Sequence, residues 1–115
     1  MKSVRVAVPL AEGRLSVHFG HCQQFALFDT DPEARKILDE TIVDAPPHEP
    51  GLLPTWLKEK GADVILAGGM GSRAQELFQQ KGIQVIIGAP SGVASQVVMD
   101  YLSGALKTGA NVCDH

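Results

Sequence analysis

The sequence predicts an α/β fold built on a mixed sheet of five strands. Short apolar runs rich in β-branched residues alternate with helical segments in the second half of the chain. Two strands joined by a short turn precede these alternating strands and helices. Alternating strands and helices pair their strands in parallel through right-handed crossovers, whereas the early hairpin adds one antiparallel strand. The 115 residues fit a single domain, which we place at 1–115.

The first half of the chain predicts three strands. Val4–Leu10 is apolar and β-branched, which indicates a buried strand. A hairpin turn at Glu12–Gly13 follows within a glycine-containing loop. Gln24–Thr30 predicts a second strand and Asp31–Glu33 a turn. The more polar Lys36–Asp44 then predicts a third strand at an edge of the sheet.

The second half begins after a proline-rich loop at 46–51, which cannot form regular structure. Glycines that follow two of the apolar-periodic segments mark helix ends, and a serine marks a helix start. The predicted elements are a helix at Leu52–Lys60, a strand at Val64–Ala67, a helix at Ser72–Lys81, a strand at Gln84–Ile87, a helix from Gly92 to Leu102 capped by Ser91, and an extended tail at 104–115. The first strand is expected at the centre, with the hairpin on one side and the two later strands on the other.

Composition and charge exclude several classes of partner. The net charge is −3 and the basic residues are scattered, so we expect no nucleic-acid partner. No apolar run approaches the ~20 residues of a membrane-spanning helix, and the start of the chain does not resemble a signal peptide. We therefore expect a cytoplasmic protein. In that compartment a disulfide between Cys22 and Cys113 is not expected.

Two glycine-rich turns predict an anion site at the carboxyl ends of the strands, where open α/β sheets bind their ligands. Gly68–Gly71 follows one strand, and the turn containing Ser91 and Gly92 follows the next. Each turn leads into a helix, whose N-terminal N–H groups favour negative charge. Glycine also serves simply to form a sharp corner, so a structural role stays open. Neither turn matches a nucleotide-binding motif.

A second candidate site is the segment Val17–Cys22, which follows the first strand. It contains two imidazoles and a thiol, His18, His21 and Cys22, which are soft to borderline metal ligands. The alternative is that a histidine bonds a backbone carbonyl while Cys22 packs. Cys113 and His115 in the tail offer a further thiol and imidazole, within reach of an extended chain. Met70 is either a ligand contact or a side chain that fills a gap in the core.

Several segments together resemble the dinitrogenase iron–molybdenum cofactor biosynthesis family, small domains that bind or carry metal–sulfur clusters. The resemblance extends over essentially the whole chain. Its matching segments are Val6–Pro9, Val17–Gly20 followed by Phe25 and Phe28, Ala62–Ile65 leading into Gly68–Gly71, and the ending Gly109–His115.

This resemblance implies a ribonuclease H-like three-layer fold, with a mixed five-stranded sheet and helices on both faces. It makes His18 a candidate ligand, and the ending looks most like the orange-protein branch, which binds a molybdenum–copper sulfide cluster. An iron–molybdenum cofactor or its precursor is the alternative cargo. The residues that we predict to contact the cluster are His18, Phe19, Gly20, Gly68, Gly69, Met70, Gly71, Ser91 and Gly92. The candidate metal ligands are His18, His21, Cys22, Cys113 and His115.

The function that we expect is non-catalytic cluster binding, with protein partners in cluster delivery or in a cytoplasmic complex. Two alternatives stay open. One is a regulatory or interaction module without a ligand, and the other is a hydrolase that uses Cys22 with His18 or His21. A two-metal nuclease of the ribonuclease H type is not favoured, because Val4–Leu10 contains no carboxylate.

Overall fold

The computed structural model confirms the α/β fold and describes residues 3–11, 14–15, 23–46, 52–89 and 92–106. These residues form six strands and three helices. The strands are β1 (Val4–Ala11), β2 (Arg14–Leu15), β3 (Gln24–Asp31), β4 (Lys36–Asp44), β5 (Val64–Leu66) and β6 (Gln84–Ile86). The helices are α1 (Leu52–Glu59), α2 (Ser72–Gln80) and α3 (Ala94–Ser103).

The sheet has the strand order that the sequence predicts. Its path is β4-β3-β1-β5-β6, which places β1 at the centre, the hairpin on one side and the two later strands on the other. The strands β1, β5 and β6 are parallel to one another. The strand β3 is antiparallel to both of its neighbours, β1 and β4. As a result β1, β4, β5 and β6 all end at the same edge of the sheet.

The short strand β2 was not predicted. It folds back on the end of β1, where Leu10 pairs with Leu15 and Ala11 pairs with Arg14. Two residues are too few to give an alternating pattern, although the sequence does place a hairpin turn between them. Burial of the Leu15 side chain stabilises this pairing, because Leu15 is 2% exposed and lies in the same core cluster as Leu10. The sheet therefore has a sixth strand, and a second antiparallel one.

The start of α3 also differs from the prediction. Its N-cap is Val93, in extended conformation and without a side-chain hydrogen bond at the cap, so the helix begins at Ala94 and not at Gly92. The predicted cap, Ser91, lies outside the described residues. The carbonyl of Gly92 accepts a hydrogen bond from Leu15 N–H at 3.0 Å, which ties this residue to β2. The helix ends at a left-handed Gly104.

Two core clusters, one on each face of the sheet, produce three layers. Alternation along β1 and β3 sends Ala7 and Phe25 to the face covered by α1 and α2. It sends Val6 and Ala26 to the opposite face, which α3 covers. All four of these side chains are fully buried. Helices thus lie on both faces, and no helix in the described ranges is long and apolar enough to cross a membrane.

Candidate functional site

The carboxyl edge of the sheet brings together described segments that belong to the predicted site or flank it. The strands β1, β4, β5 and β6 end there, and β3 begins there with Gln24 opposite Leu10. Ala45, just after β4, donates its N–H to the carbonyl of Gln23 at 3.0 Å. The edge therefore collects residues that are far apart in the sequence, as the topology of an open sheet requires.

The described residues on either side of the His18 segment both lie at this edge. Leu15 pairs with Leu10, and Gln23 donates its N–H to the Leu10 carbonyl at 2.7 Å. The chain thus leaves the end of β1 and returns to it. The predicted site residues between these anchors, His18, Phe19, Gly20, His21 and Cys22, lie outside the described residues, and their roles stay predictions.

The turns after β5 and β6 are hydrogen-bonded to each other. Ala67 donates its N–H to the Ile86 carbonyl at 2.9 Å, and Ala89 donates to the Ala67 carbonyl at 3.0 Å. Gly88 donates to the Gly68 carbonyl at 2.9 Å, and Gly68 and Gly69 are both buried. These bonds continue the β5–β6 pairing beyond the strands. They hold the chain that leaves β5 beside the chain that leaves β6.

Gly71 and Gly92 leave open space beside the backbone at this edge. A Cβ atom at either position would meet no atom within 4 Å, and neither glycine has a positive φ. Gly71 is the N-cap of α2, with φ −64° and ψ 154°, and as a glycine it supplies no side-chain hydrogen bond to the first turn of that helix. An alanine would fit both positions in this structure. Because these two residues have no side chain, a ligand can approach the helix N-terminus closely.

The side chain of Met70 points into the core. It is fully buried in the cluster that includes Phe25, Leu57 and Phe78. Its carbonyl oxygen accepts a hydrogen bond from Gln75 Nε2 at 2.9 Å. This burial favours the interpretation in which Met70 fills a gap between the sheet and α2. Contact of its thioether with a cluster stays a prediction.

The histidine and cysteine side chains of this chain all lie outside the part that the structure describes. These are the four histidines His18, His21, His48 and His115 and the two cysteines Cys22 and Cys113. Among the described residues, no group of three or more histidine, cysteine, aspartate or glutamate side chains is placed to hold a metal ion. Histidine and cysteine ligands would therefore come from those segments.

The predicted contribution of the C-terminal tail depends on where α3 ends. Tyr101 and Leu102, in its last turn, lie beside Val4 and Gln84, which begin β1 and β6. The helix therefore ends at the amino edge, opposite the predicted site. From Leu106, an extended chain reaches about 23 Å to Cys113, while α3 itself is about 15 Å long. The tail is long enough to return to the carboxyl edge, so Cys113 and His115 stay candidates.

The amino edge has a cavity of its own, which the sequence does not predict. Its volume is about 360 Å³, and it is lined by residues from several separate segments, among them Val4, Asp63, Gln84 and Tyr101. Arg5 lies nearby, where its Nε donates to Asp29 Oδ1 at 2.7 Å. That hydrogen bond raises the pKa of Arg5 above its usual value, with smaller contributions from the charges of Asp29, Asp63 and Asp39. Because the residues that line the cavity come from separate segments, they form no motif in the sequence.

Comparison with known proteins identifies relatives over nearly the whole chain. The family model described as dinitrogenase iron-molybdenum cofactor matches residues 2–104. An uncharacterized protein of Methanocaldococcus jannaschii, MJ0580, is 23% identical over 110 residues, which cover 93% of this chain and 92% of that protein. The crystal structure of PH0822 has a TM-score of 0.84 at 33% identity, covering 91% of this chain and 94% of that one. The apo orange protein of Desulfovibrio gigas has a TM-score of 0.70 at 26% identity, covering 93% of each chain.

Proposed function

This chain belongs to the dinitrogenase iron-molybdenum cofactor family, and on that premise we propose that it binds an anionic metal–sulfur cluster at the carboxyl edge of its sheet. It acts as a carrier and performs no chemistry on the cluster. The partners that we propose are proteins that deliver or receive the cluster in the cytoplasm. Nucleic acid and membranes are not among them.

The observation that carries this proposal is the open space at Gly71, at the start of α2. The first N–H groups of a helix have no partner within the helix, and the N-cap Gly71 has no side chain with which to cap them. A thiomolybdate-type anion at this position would accept hydrogen bonds from those groups and benefit from the helix dipole. The space beside Gly92 adjoins the start of α3, which likewise has no side-chain cap. Backbone N–H groups thus hold the anion without covalent attachment.

We propose that the segment between Leu15 and Gln23 supplies the side chains that contact the metal. Its two anchors lie at Leu10, and the Leu15 N–H is bonded to Gly92 at 3.0 Å. The segment therefore begins beside one of the two open glycines. His18, with His21 and Cys22, provides imidazole and thiol ligands that suit copper or iron. Cys113 and His115 are further candidates, at the end of the tail.

The cargo that we favour is a molybdenum–copper sulfide cluster. The sequence resembles the orange-protein branch, and the structure resembles the apo orange protein over 93% of the chain. An iron–molybdenum cofactor or its precursor is the alternative, because the family model carries that description. The two cargoes differ in their metals, so elemental analysis separates them.

The test is an anaerobic titration of the purified protein with tetrathiomolybdate and Cu(I), followed by desalting, visible spectroscopy and metal analysis. We expect retained molybdenum and copper in a fixed ratio. Replacing His18→Ala should lower the retained metal by about tenfold or more if the imidazole is a ligand. The matched control is Gln84→Ala, at the opposite edge of the sheet, where Gln84 is exposed. This control should retain as much metal as the unchanged protein.

The other functions predict different results. A protein that retains neither molybdenum nor copper under these conditions would not be a carrier of a molybdenum–copper cluster, and the remaining candidates would be a carrier of an iron–molybdenum precursor and a ligand-free interaction module. Metal retention that His18→Ala and Gln84→Ala affect equally would contradict the ligand role of His18. Hydrolysis of ester or amide substrates that is lost in Cys22→Ser would identify the Cys22 hydrolase and exclude a pure carrier.

A further inference from the structure

The outer edge of β4 has the properties of a pairing surface. Within the described residues β4 pairs with β3 and with no other strand, so one side of its backbone is open. Two large apolar side chains on this strand are exposed, Leu38 at 54% and Ile42 at 53%. An exposed edge strand with apolar side chains is a template on which another strand can add.

Ile42 and Leu38 lie two residues to either side of Glu40 along β4. Ile42 pairs with Ala26, which belongs to the core cluster beneath α3. Glu40 pairs with Phe28 and so lies on that face as well, whereas the register shift interrupts the alternation before Leu38. Leu38 is the extra residue where the register shifts between Asp29 and Thr30. The helix α3 covers Ala26 fully but leaves more than half of Ile42 exposed.

The charges along β4 select both the occupant and its direction. The strand begins with the cation Lys36, which follows Arg35, and it ends at a carboxylate, Asp44. An antiparallel pair of two such strands brings each basic end beside an acidic end, whereas a parallel pair would place like charges together. We propose that two copies of this chain associate through β4, antiparallel about a twofold axis at Glu40. In this register Ile42 of each copy lies opposite Leu38 of the other.

The same register predicts that the association is weak. Glu40 lies on the axis and faces its own counterpart, and like charges directly opposite each other disfavour strand pairing. A single pair of edge strands also buries less than the ~1,000 Å² that is typical of stable interfaces. The dimer therefore forms at high protein concentration and dissociates on dilution.

Sedimentation velocity between about 10 μM and about 1 mM protein tests this proposal, because a small interface associates in that range. The unchanged protein should show a concentration-dependent dimer. Glu40→Gln removes the repulsion at the axis and should raise the association constant about two- to fivefold. Ile42→Lys places a cation in both apolar contacts and should lower the association constant by about tenfold or more. The matched control is Val93→Lys, an exposed apolar residue (57%) outside β4, which should associate normally.

Circular dichroism of each variant verifies that it is folded. The gain from Glu40→Gln cannot come from unfolding, so the proposal is tested even if Ile42→Lys is unstable. It is overturned if the unchanged protein and Glu40→Gln are both monomeric at about 1 mM, or if Ile42→Lys and Val93→Lys weaken association equally.

Discussion

Gly71 and Gly92 show how the identity of single residues points to a ligand. Most other glycines with described surroundings have a conformational reason to be glycine, such as φ +82° at Gly61 and φ +78° at Gly104. Gly71 and Gly92 have ordinary φ values and open space around them, so the fold alone does not require glycine there. The sequence identifies both turns as glycine-rich, but only the geometry separates residues that the backbone needs from residues that leave space.

Replacing Gly71→Ala should weaken cluster retention without unfolding the protein. The added methyl group meets no protein atom within 4 Å, so we expect the stability to change by less than about 1 kcal/mol. A cluster bound against the α2 N-terminus would meet that methyl group, and we expect the affinity to fall by about tenfold, measured by anaerobic titration. Gly104→Ala is the control, because its strained φ costs about 1 kcal/mol at the far edge and leaves binding intact. Equal retention by Gly71→Ala and the unchanged protein would place the cluster elsewhere.

At the scale of elements, alternation and periodicity predicted the long segments well. The strands β1, β3 and β4 agree with the predicted ranges to within a residue, because the buried strands β1 and β3 are largely apolar and the exposed edge strand β4 is more polar. The two-residue β2 is too short to have a recognisable sequence pattern, and its pairing depends on burial of Leu15 beside Leu10. The start of α3 was predicted too early, because Ser91 is a good cap by residue type while the chain at Gly92 is bonded to β2.

The N-cap of α3, whose side chain makes no hydrogen bond, predicts a stabilising substitution. Val93 occupies the N-cap in extended conformation, is 57% exposed and cannot bond the first turn. Val93→Asp supplies a cap acceptor and a negative charge at the helix N-terminus, which should raise the free energy of unfolding by about 1 kcal/mol. Urea denaturation of Val93→Asp beside Val93→Ala measures this, because the alanine variant removes the same apolar side chain without adding a cap. A midpoint for the aspartate variant no higher than that of the alanine variant would contradict the prediction.

At the scale of the whole molecule, the candidate site combines segments from both halves of the chain. Its described components run from Leu15 through the β5–α2 turn to Gly92, and they are joined across β1, β5 and β6. The sequence predicts this convergence from topology, because parallel strands end at one edge. It does not predict the amino-edge cavity, whose lining residues come from segments with no shared pattern. The roles of the histidines and cysteines stay predictions, since none of them lies in the described part of the chain.

A ligand held by such widely separated segments should stabilise the entire domain and not one loop. At a free cluster concentration about 100 times the Kd, binding stabilises the folded state by about 2.7 kcal/mol. For a domain of this size, that free energy corresponds to a rise in Tm of roughly 10 °C, which differential scanning calorimetry under anaerobic conditions would measure.

Hydrogen exchange identifies where this stabilisation acts. Because opening of the core strands follows global unfolding, amides of β3, which lies next to β1, should gain as much protection as amides beside Gly71. Gly71→Ala supplies the matched comparison, since it should lose most of the Tm rise while its cluster-free Tm stays close to that of the unchanged protein. Retained colour without any rise in Tm would mean that the cluster binds the unfolded chain as well, through exposed thiols and imidazoles, and would contradict a built site at the carboxyl edge.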